Sequence, residues 1–144
     1  MAGNRTFAMV KPDAFEGGKA GKILAHIEDA GYLIRAMRLV KLTRAESEAF
    51  YEVHRGRPFY EELVSFMSSG RTIALALEKE NAVASWRTTI GATDPAEAAA
   101  GTVRKLFAES KGRNAVHGSD SDENAAREIA FFFPERELAL LGSA

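Results

Sequence analysis

The chain has 144 residues, 46% of them hydrophobic and 27% charged, which is the size and balance of one globular domain spanning 1–144. Its 19 Lys and Arg against 20 Asp and Glu leave a net charge of −1, so no overall basic field draws it to nucleic acid or anionic lipid, and an anionic ligand needs a local cluster of cations. Cysteine is absent, which excludes disulfides and thiolate chemistry; no run of about 18 apolar residues occurs, and Met1-Ala2-Gly3-Asn4-Arg5 lacks the apolar stretch of a signal peptide, so a cytoplasmic protein without a membrane span is expected.

Thr6-Phe7-Ala8-Met9-Val10 reads as a short buried strand, stopped by a turn at Lys11-Pro12-Asp13. From Lys19 to Ala30 the apolar Ile23, Leu24 and Ile27 fall at helical spacing, with Gly31 where a helix ends. Tyr32 to Leu42 reads as a second strand. Thr43-Arg44-Ala45-Glu46 has capping-box spacing and opens a helix through Phe50 and Tyr51; Phe59 to Met67 is another helix, and Thr72 to Leu77 a third strand. Asn81 is placed to cap a helix carrying Val83, Trp86 and Ile90 on its apolar face, followed by a loop, Gly91-Ala92-Thr93-Asp94-Pro95. Thr102 to Ala108 is helical with Val103, Leu106 and Phe107 on one face, Ala115-Val116-His117 is the last strand, and Asp122 to Phe132 the last long helix. The order β-α-β-(αα)-β-α-(α)-β-α, with strands apolar on both faces, predicts an α+β fold: a ferredoxin-like antiparallel sheet packed by helices, a βαββαβ core with added helices.

Gly17-Gly18-Lys19-Ala20-Gly21-Lys22 lies between strand and helix, where a phosphate-binding P-loop would fall, but Glu16 and Ile23 stand where that motif needs Gly and Ser or Thr. Phosphate chemistry points instead to Asn114-Ala115-Val116-His117-Gly118-Ser119-Asp120. There a histidine ends a strand before a glycine turn and a helix start, facing a cleft rimmed by backbone amides. An imidazole nitrogen is a good reversible phosphoryl acceptor. Arg87 and Arg104 each sit beside an apolar helix face, where two guanidiniums would offset charge on a phosphoryl group. Spacing alone equally accommodates an ordinary strand-end histidine at 117, a turn residue at Ser119, a helix N-cap at Asp120 and surface cations at 87 and 104.

These segments resemble the nucleoside diphosphate kinase family. Asn114-x-x-His117-Gly118-Ser119-Asp120 is similar to its active-site signature, and the likeness continues through Val10-Lys11-Pro12-Asp13, Arg57-Pro58-Phe59, Gly91-Ala92-Thr93-Asp94-Pro95 and Gly101-Thr102-Val103-Arg104, over Arg5 to Phe133. The resemblance implies ping-pong transfer of the γ-phosphoryl group between nucleoside triphosphates, usually ATP, and diphosphates through a phosphohistidine at His117. It implies Arg87 and Thr93 at the inner phosphates, Arg104 and Tyr51 near the transferred group, Lys11 and Asn114 at the sugar hydroxyls, and Phe59 stacked on the base. Glu128 would orient the imidazole through Ser119. Magnesium (Mg2+) would be held mainly by the phosphates, with Asp120 touching it through water. His26 and His54 take no catalytic part in this reading. Lys111 stands where many members have an apolar residue facing the base, its stem covering the base opposite Phe59. A homo-oligomer built from dimers is implied, a hexamer ahead of a tetramer, with the loop around Pro95 near a subunit contact. The competing reading, a ferredoxin-like nucleotide- or RNA-binding module without catalysis, would want exposed aromatics on the central strands, and Thr72 to Leu77 has none.

Overall fold

The computed structural model describes residues 3–142; Met1 and Ala2, on which the reading of the N-terminus partly rests, lie outside them, as do 143 and 144 of the expected domain. Four strands, β1 (Arg5–Val10), β2 (Leu33–Lys41), β3 (Arg71–Glu78) and β4 (Val116–Gly118), form one antiparallel sheet in the order β2-β3-β1-β4. This is the expected α+β, ferredoxin-like topology. Its helices are α1 (Pro12–Glu16), α2 (Ala20–Asp29), α3 (Arg44–Phe50), α4 (Tyr60–Met67), α5 (Ala82–Ile90), α6 (Val103–Phe107), α7 (Asp122–Phe132) and α8 (Glu135–Gly142).

Period-two alternation divides β1 between two cores. Phe7 and Met9 face one, with Ala74 and Ala76 of β3, Phe50, Val64, Ile129 and Phe133; Ala8 and Val10 face the other, with Leu75, Leu77, Ile23, Ile27 and Trp86. Thr72 to Leu77 is therefore buried on both faces. Strand β3 thus offers no open aromatic platform for single-stranded RNA, which counts against the RNA-binding form of the alternative reading.

Several local expectations hold closely. Thr43 and Glu46 close the capping box, the Thr43 side chain accepting from the Glu46 amide at 3.1 Å and the Glu46 carboxylate from the Thr43 amide at 2.8 Å. Others need correction. Lys11-Pro12-Asp13 does more than turn the chain: Pro12 opens α1, its fixed φ suiting a first helical position. Asn81 caps nothing with its side chain and sits instead at φ 51°, a left-handed conformation asparagine tolerates. Leu106 is exposed, because α6 is too short to bury a full stripe. Ala115 leaves the strand altogether at φ 72°.

Candidate active site

His117 is placed by β4, opposite Met9 of β1. Its ring meets the edges of Phe7, centroids 5.9 Å apart, and Phe50, at 5.8 Å. Trp86 of α5 donates its indole N–H to the His117 carbonyl at 3.1 Å. A side chain at Gly118 would meet Trp86 Cδ1 at 2.8 Å and Ile90 Cδ1 at 3.1 Å, so the residue after the histidine is glycine because α5 packs directly on the strand.

The imidazole is held by α7. His117 Nε2 lies 2.8 Å from Glu128 Oε1, and the Ser119 hydroxyl donates to that same oxygen at 2.7 Å. The glutamate thus touches the ring directly, and Ser119 braces the glutamate in place of linking it to the ring as expected. With Nε2 donating to Glu128, a neutral imidazole keeps its lone pair on Nδ1. Tyr51 is buried close enough to feel the Glu128 charge; burial first, then that charge, push its phenol well above the ordinary range and keep it neutral.

A second group is tied together around Asn114. Lys11, at the C-terminal end of β1, donates to Asn114 Oδ1 at 2.9 Å, and the Asn114 amide donates to the Thr93 carbonyl at 3.3 Å. Burial, then the nearby Arg104, push the Lys11 ammonium down to about 8, against the opposing pull of Asp13. Arg104 spreads its fork over three backbone carbonyls: Nε to Asn114 at 3.3 Å, Nη1 to Gly91 at 3.0 Å and Nη2 to Val116 at 2.9 Å. Burial, then Arg87, lower it to about 10, so it remains charged at neutral pH. The expected rim of free amides is not what surrounds the histidine: the amides of Ala115, Val116 and Ser119 already donate to Asp13, the Asn114 carbonyl and the Phe7 carbonyl. Phosphate charge here falls to side-chain cations.

The outer residues are less constrained. Arg87 is exposed, yet its charge reaches both Arg104 and Asp120; Thr93 is exposed on its loop. Phe59 is 48% exposed at the end of a ring row in which His54 stands 6.2 Å from Tyr51 and 5.3 Å from Phe59, centroid to centroid. Lys111 is exposed, and among the described residues no hydrogen bond or ring contact joins it to Phe59. Asp120 is not the cap of α7, a place taken by Ser121, which accepts from the Asn124 amide at 3.1 Å. Asp120 Oδ1 accepts from the Asn124 side chain at 2.6 Å, and that bond, ahead of Arg87, holds its carboxyl below the usual range.

Among the described residues no three His, Cys, Asp or Glu side chains converge on a metal position. An ionised carboxylate at the rim is a hard oxygen donor, which fits a magnesium ion that keeps its waters and arrives on phosphates. Sequence reasoning missed Trp86 as a backbone partner of the histidine and Asp13 as an acceptor, both hidden in roles already explained, and passed over His54 although its ring lies between two nominated residues.

The family model for nucleoside diphosphate kinase matches residues 4–138. A curated nucleoside diphosphate kinase of Flavobacterium psychrophilum is 59% identical over 95% of this chain and 99% of its own length, and that of Sorangium cellulosum 55% identical over 96% of each. Among solved structures, the Aquifex aeolicus nucleoside diphosphate kinase superposes with a TM-score of 0.91 at 46% identity, covering 93% of this chain and 97% of that one. The Halobacterium salinarum enzyme in complex with CDP gives 0.87 at 36%, covering 92% and 89%.

Proposed function

The chain belongs to the nucleoside diphosphate kinase family, and from that membership we propose that His117 Nδ1 is the atom that carries the phosphoryl group. The enzyme transfers the terminal phosphoryl of a nucleoside triphosphate to a nucleoside diphosphate. In the first half-reaction the Nδ1 lone pair forms a bond to the γ-phosphorus while the bridging P–O bond breaks, its electron pair leaving with the diphosphate. The second half-reaction is the reverse with a new diphosphate. Glu128 is the supporting observation: pinned at 2.8 Å, it fixes the reactive tautomer and faces the positive charge that the ring gains on phosphorylation.

Arg104 and the Tyr51 hydroxyl lie nearest the transferred group in this reading, Arg87 and Thr93 take the inner phosphates, Lys11 and Asn114 the sugar hydroxyls, and Phe59 the face of the base. Asp120 would hold magnesium, and the ion, when bound, would offset phosphate charge. Leu33, Met37 and Leu39 are exposed apolar residues on the edge strand β2. That exposed apolar edge supports a homo-oligomer built from dimers in which a second copy covers it, and from family membership a hexamer is proposed ahead of a tetramer. Light scattering on the purified protein measures it, and a monomeric mass overturns it.

The test of the main proposal is incubation with ATP labelled in the γ-phosphate. Label on the protein is expected to be lost in acid and kept in base, to transfer to any added nucleoside diphosphate, and to give parallel double-reciprocal plots. Intersecting plots, or label stable to acid, would sink it.

A further inference from the structure

Ala115, buried and two residues before the histidine, is bent where a side chain resists bending. Its φ is 72°, and the Val116 amide donates back to the Asn114 carbonyl at 2.8 Å, closing a three-residue ring around it. A ring of this kind with positive φ at its centre is the strained form of the γ-turn. Among the described residues Asn81 alone shares a positive φ outside glycine, and asparagine adopts it more readily than alanine does. Something must hold the turn, since a strained backbone persists only where its surroundings determine it.

Two bonds hold the central residue itself. The Ala115 carbonyl accepts from the Lys11 amide at 2.8 Å, and its amide donates to Asp13 Oδ2 at 2.9 Å. We propose that Asp13 is a positioning residue for phosphoryl transfer, its carboxylate fastening the Ala115 turn and so setting Asn114 and His117 on the same cleft.

Asp13 belongs to the first turn of α1, where an acidic residue is ordinary. A carboxylate serving only that turn would spend its oxygens on nearby amides or on water. This one reaches a residue 102 positions away, and its second oxygen is buried without a hydrogen-bond partner among the described residues. The turn transmits what Asp13 does. Arg104 bonds the Asn114 carbonyl on one side of Ala115 and the Val116 carbonyl on the other, while the Asn114 side chain is shared by Lys11 and Thr93. If Ala115 relaxes to negative φ, both carbonyls swing, the Arg104 fork loses partners and β4 delivers His117 at a new angle.

The inference rests on His117 being the phosphoryl acceptor, so the experiment first establishes acid-labile label on the wild-type protein; its absence sinks both readings. The rate of label uptake in a single turnover is then measured for Asp13→Ala, Asp13→Asn, Ala115→Gly and the double variant Asp13→Ala/Ala115→Gly, with circular dichroism to confirm folding. Misplacing reacting groups by about an ångström slows reaction roughly 100-fold, the loss expected for Asp13→Ala. Asp13→Asn keeps an acceptor oxygen and should stay within roughly tenfold of wild type. Glycine adopts positive φ freely, so Ala115→Gly should leave the wild-type rate intact and recover most of the loss in the Asp13→Ala background. A merely structural Asp13 predicts a lower melting temperature with no such rescue of rate. Label uptake by Asp13→Ala at the wild-type rate, or a folded double variant as slow as the single, overturns the proposal. Should Asp13→Ala not fold, a folded Asp13→Asn slowed more than roughly 100-fold does the same.

Discussion

The two walls of the site are built to different standards. Along Asn114 to Glu128, with Lys11 and Arg104, the polar side chains proposed to meet the phosphoryl group, orient its acceptor or hold the sugar are tied down: histidine to Glu128, Glu128 to Ser119, Lys11 to Asn114, Arg104 to three carbonyls. The more open wall is formed by Phe59, Thr93 and Arg87, whose side chains are exposed. Chemistry that depends on electrostatic stabilisation needs donors already in place, because reorganising them during reaction would forfeit much of their effect. Grip on the rest of a nucleotide tolerates side chains that settle when the ligand arrives. Substitutions at His117, Glu128 and Arg104 should therefore fall on kcat, and those at the sugar-facing Lys11 and on the open wall on binding.

The largest effect is expected at His117. His117→Ala should lose transfer by on the order of 10⁴-fold or more while ADP affinity, measured by calorimetry, stays close to wild type. Retained turnover would break the comparison at its root. Next comes Arg104→Ala, expected to lower kcat by roughly 2 to 4 kcal/mol in transition-state terms, with little change in KM. Because the same guanidinium ties Gly91, Asn114 and Val116, the melting temperature should fall too, and lysine should not restore either property, having no planar fork to bridge three carbonyls. A change confined to KM would move Arg104 to the open wall.

Phe59→Ala tests that open wall. Loss of a stacking face should weaken purine and pyrimidine substrates together, by about 1 to 3 kcal/mol each. Since no edge-reading group is assigned to the base, wild-type kcat/KM should vary among bases by about tenfold to a hundredfold at most; a preference of roughly 10⁴-fold would require a hydrogen-bonded contact to the base edge. The smallest effect is a pH dependence at Lys11. With its ammonium lowered to about 8, the free enzyme carries that charge below pH 8 and loses it above. ADP affinity should therefore fall as pH rises from 7 to 9, by about fivefold, the difference between a charged and a neutral hydrogen bond. Lys11→Met should flatten that slope; a slope persisting in the variant would assign it elsewhere.

Much of the fold was legible because periodicity and capping are local. Asp122 to Phe132 is read from sequence as the last long helix, and α7 has those bounds; Thr43 and Glu46 announced a helix start that the structure closes with both bonds. What escaped was nonlocal or chemically silent. An alanine at positive φ gives no signal, since nothing in its side chain asks for that conformation. Pro12 ends a strand and begins a helix in one residue, and from sequence only the ending is visible. The three carbonyls beneath Arg104 come from two separate segments, the loop at Gly91 and the turn from Asn114 to Val116, and no spacing relates the two. For the site, family motifs nominated Lys11, Asn114, Thr93 and Arg104, and His117, Ser119 and Glu128, which hydrogen bonds join into two groups, while the fastening of His117 by Trp86 and of Ala115 by Asp13 depended on packing between distant segments.

Trp86 is the chain's sole tryptophan, and its indole N–H is bound to the carbonyl of the histidine itself. Indole emission responds to the field and hydrogen bonding around the ring, and a phosphoryl group on His117 would place new negative charge on the very residue it is bonded to. The molecule thus carries its own optical gauge, without label or coupled assay. Adding a nucleoside triphosphate should shift the fluorescence, adding a diphosphate should return it, and the two relaxation rates would time each half of the reaction directly.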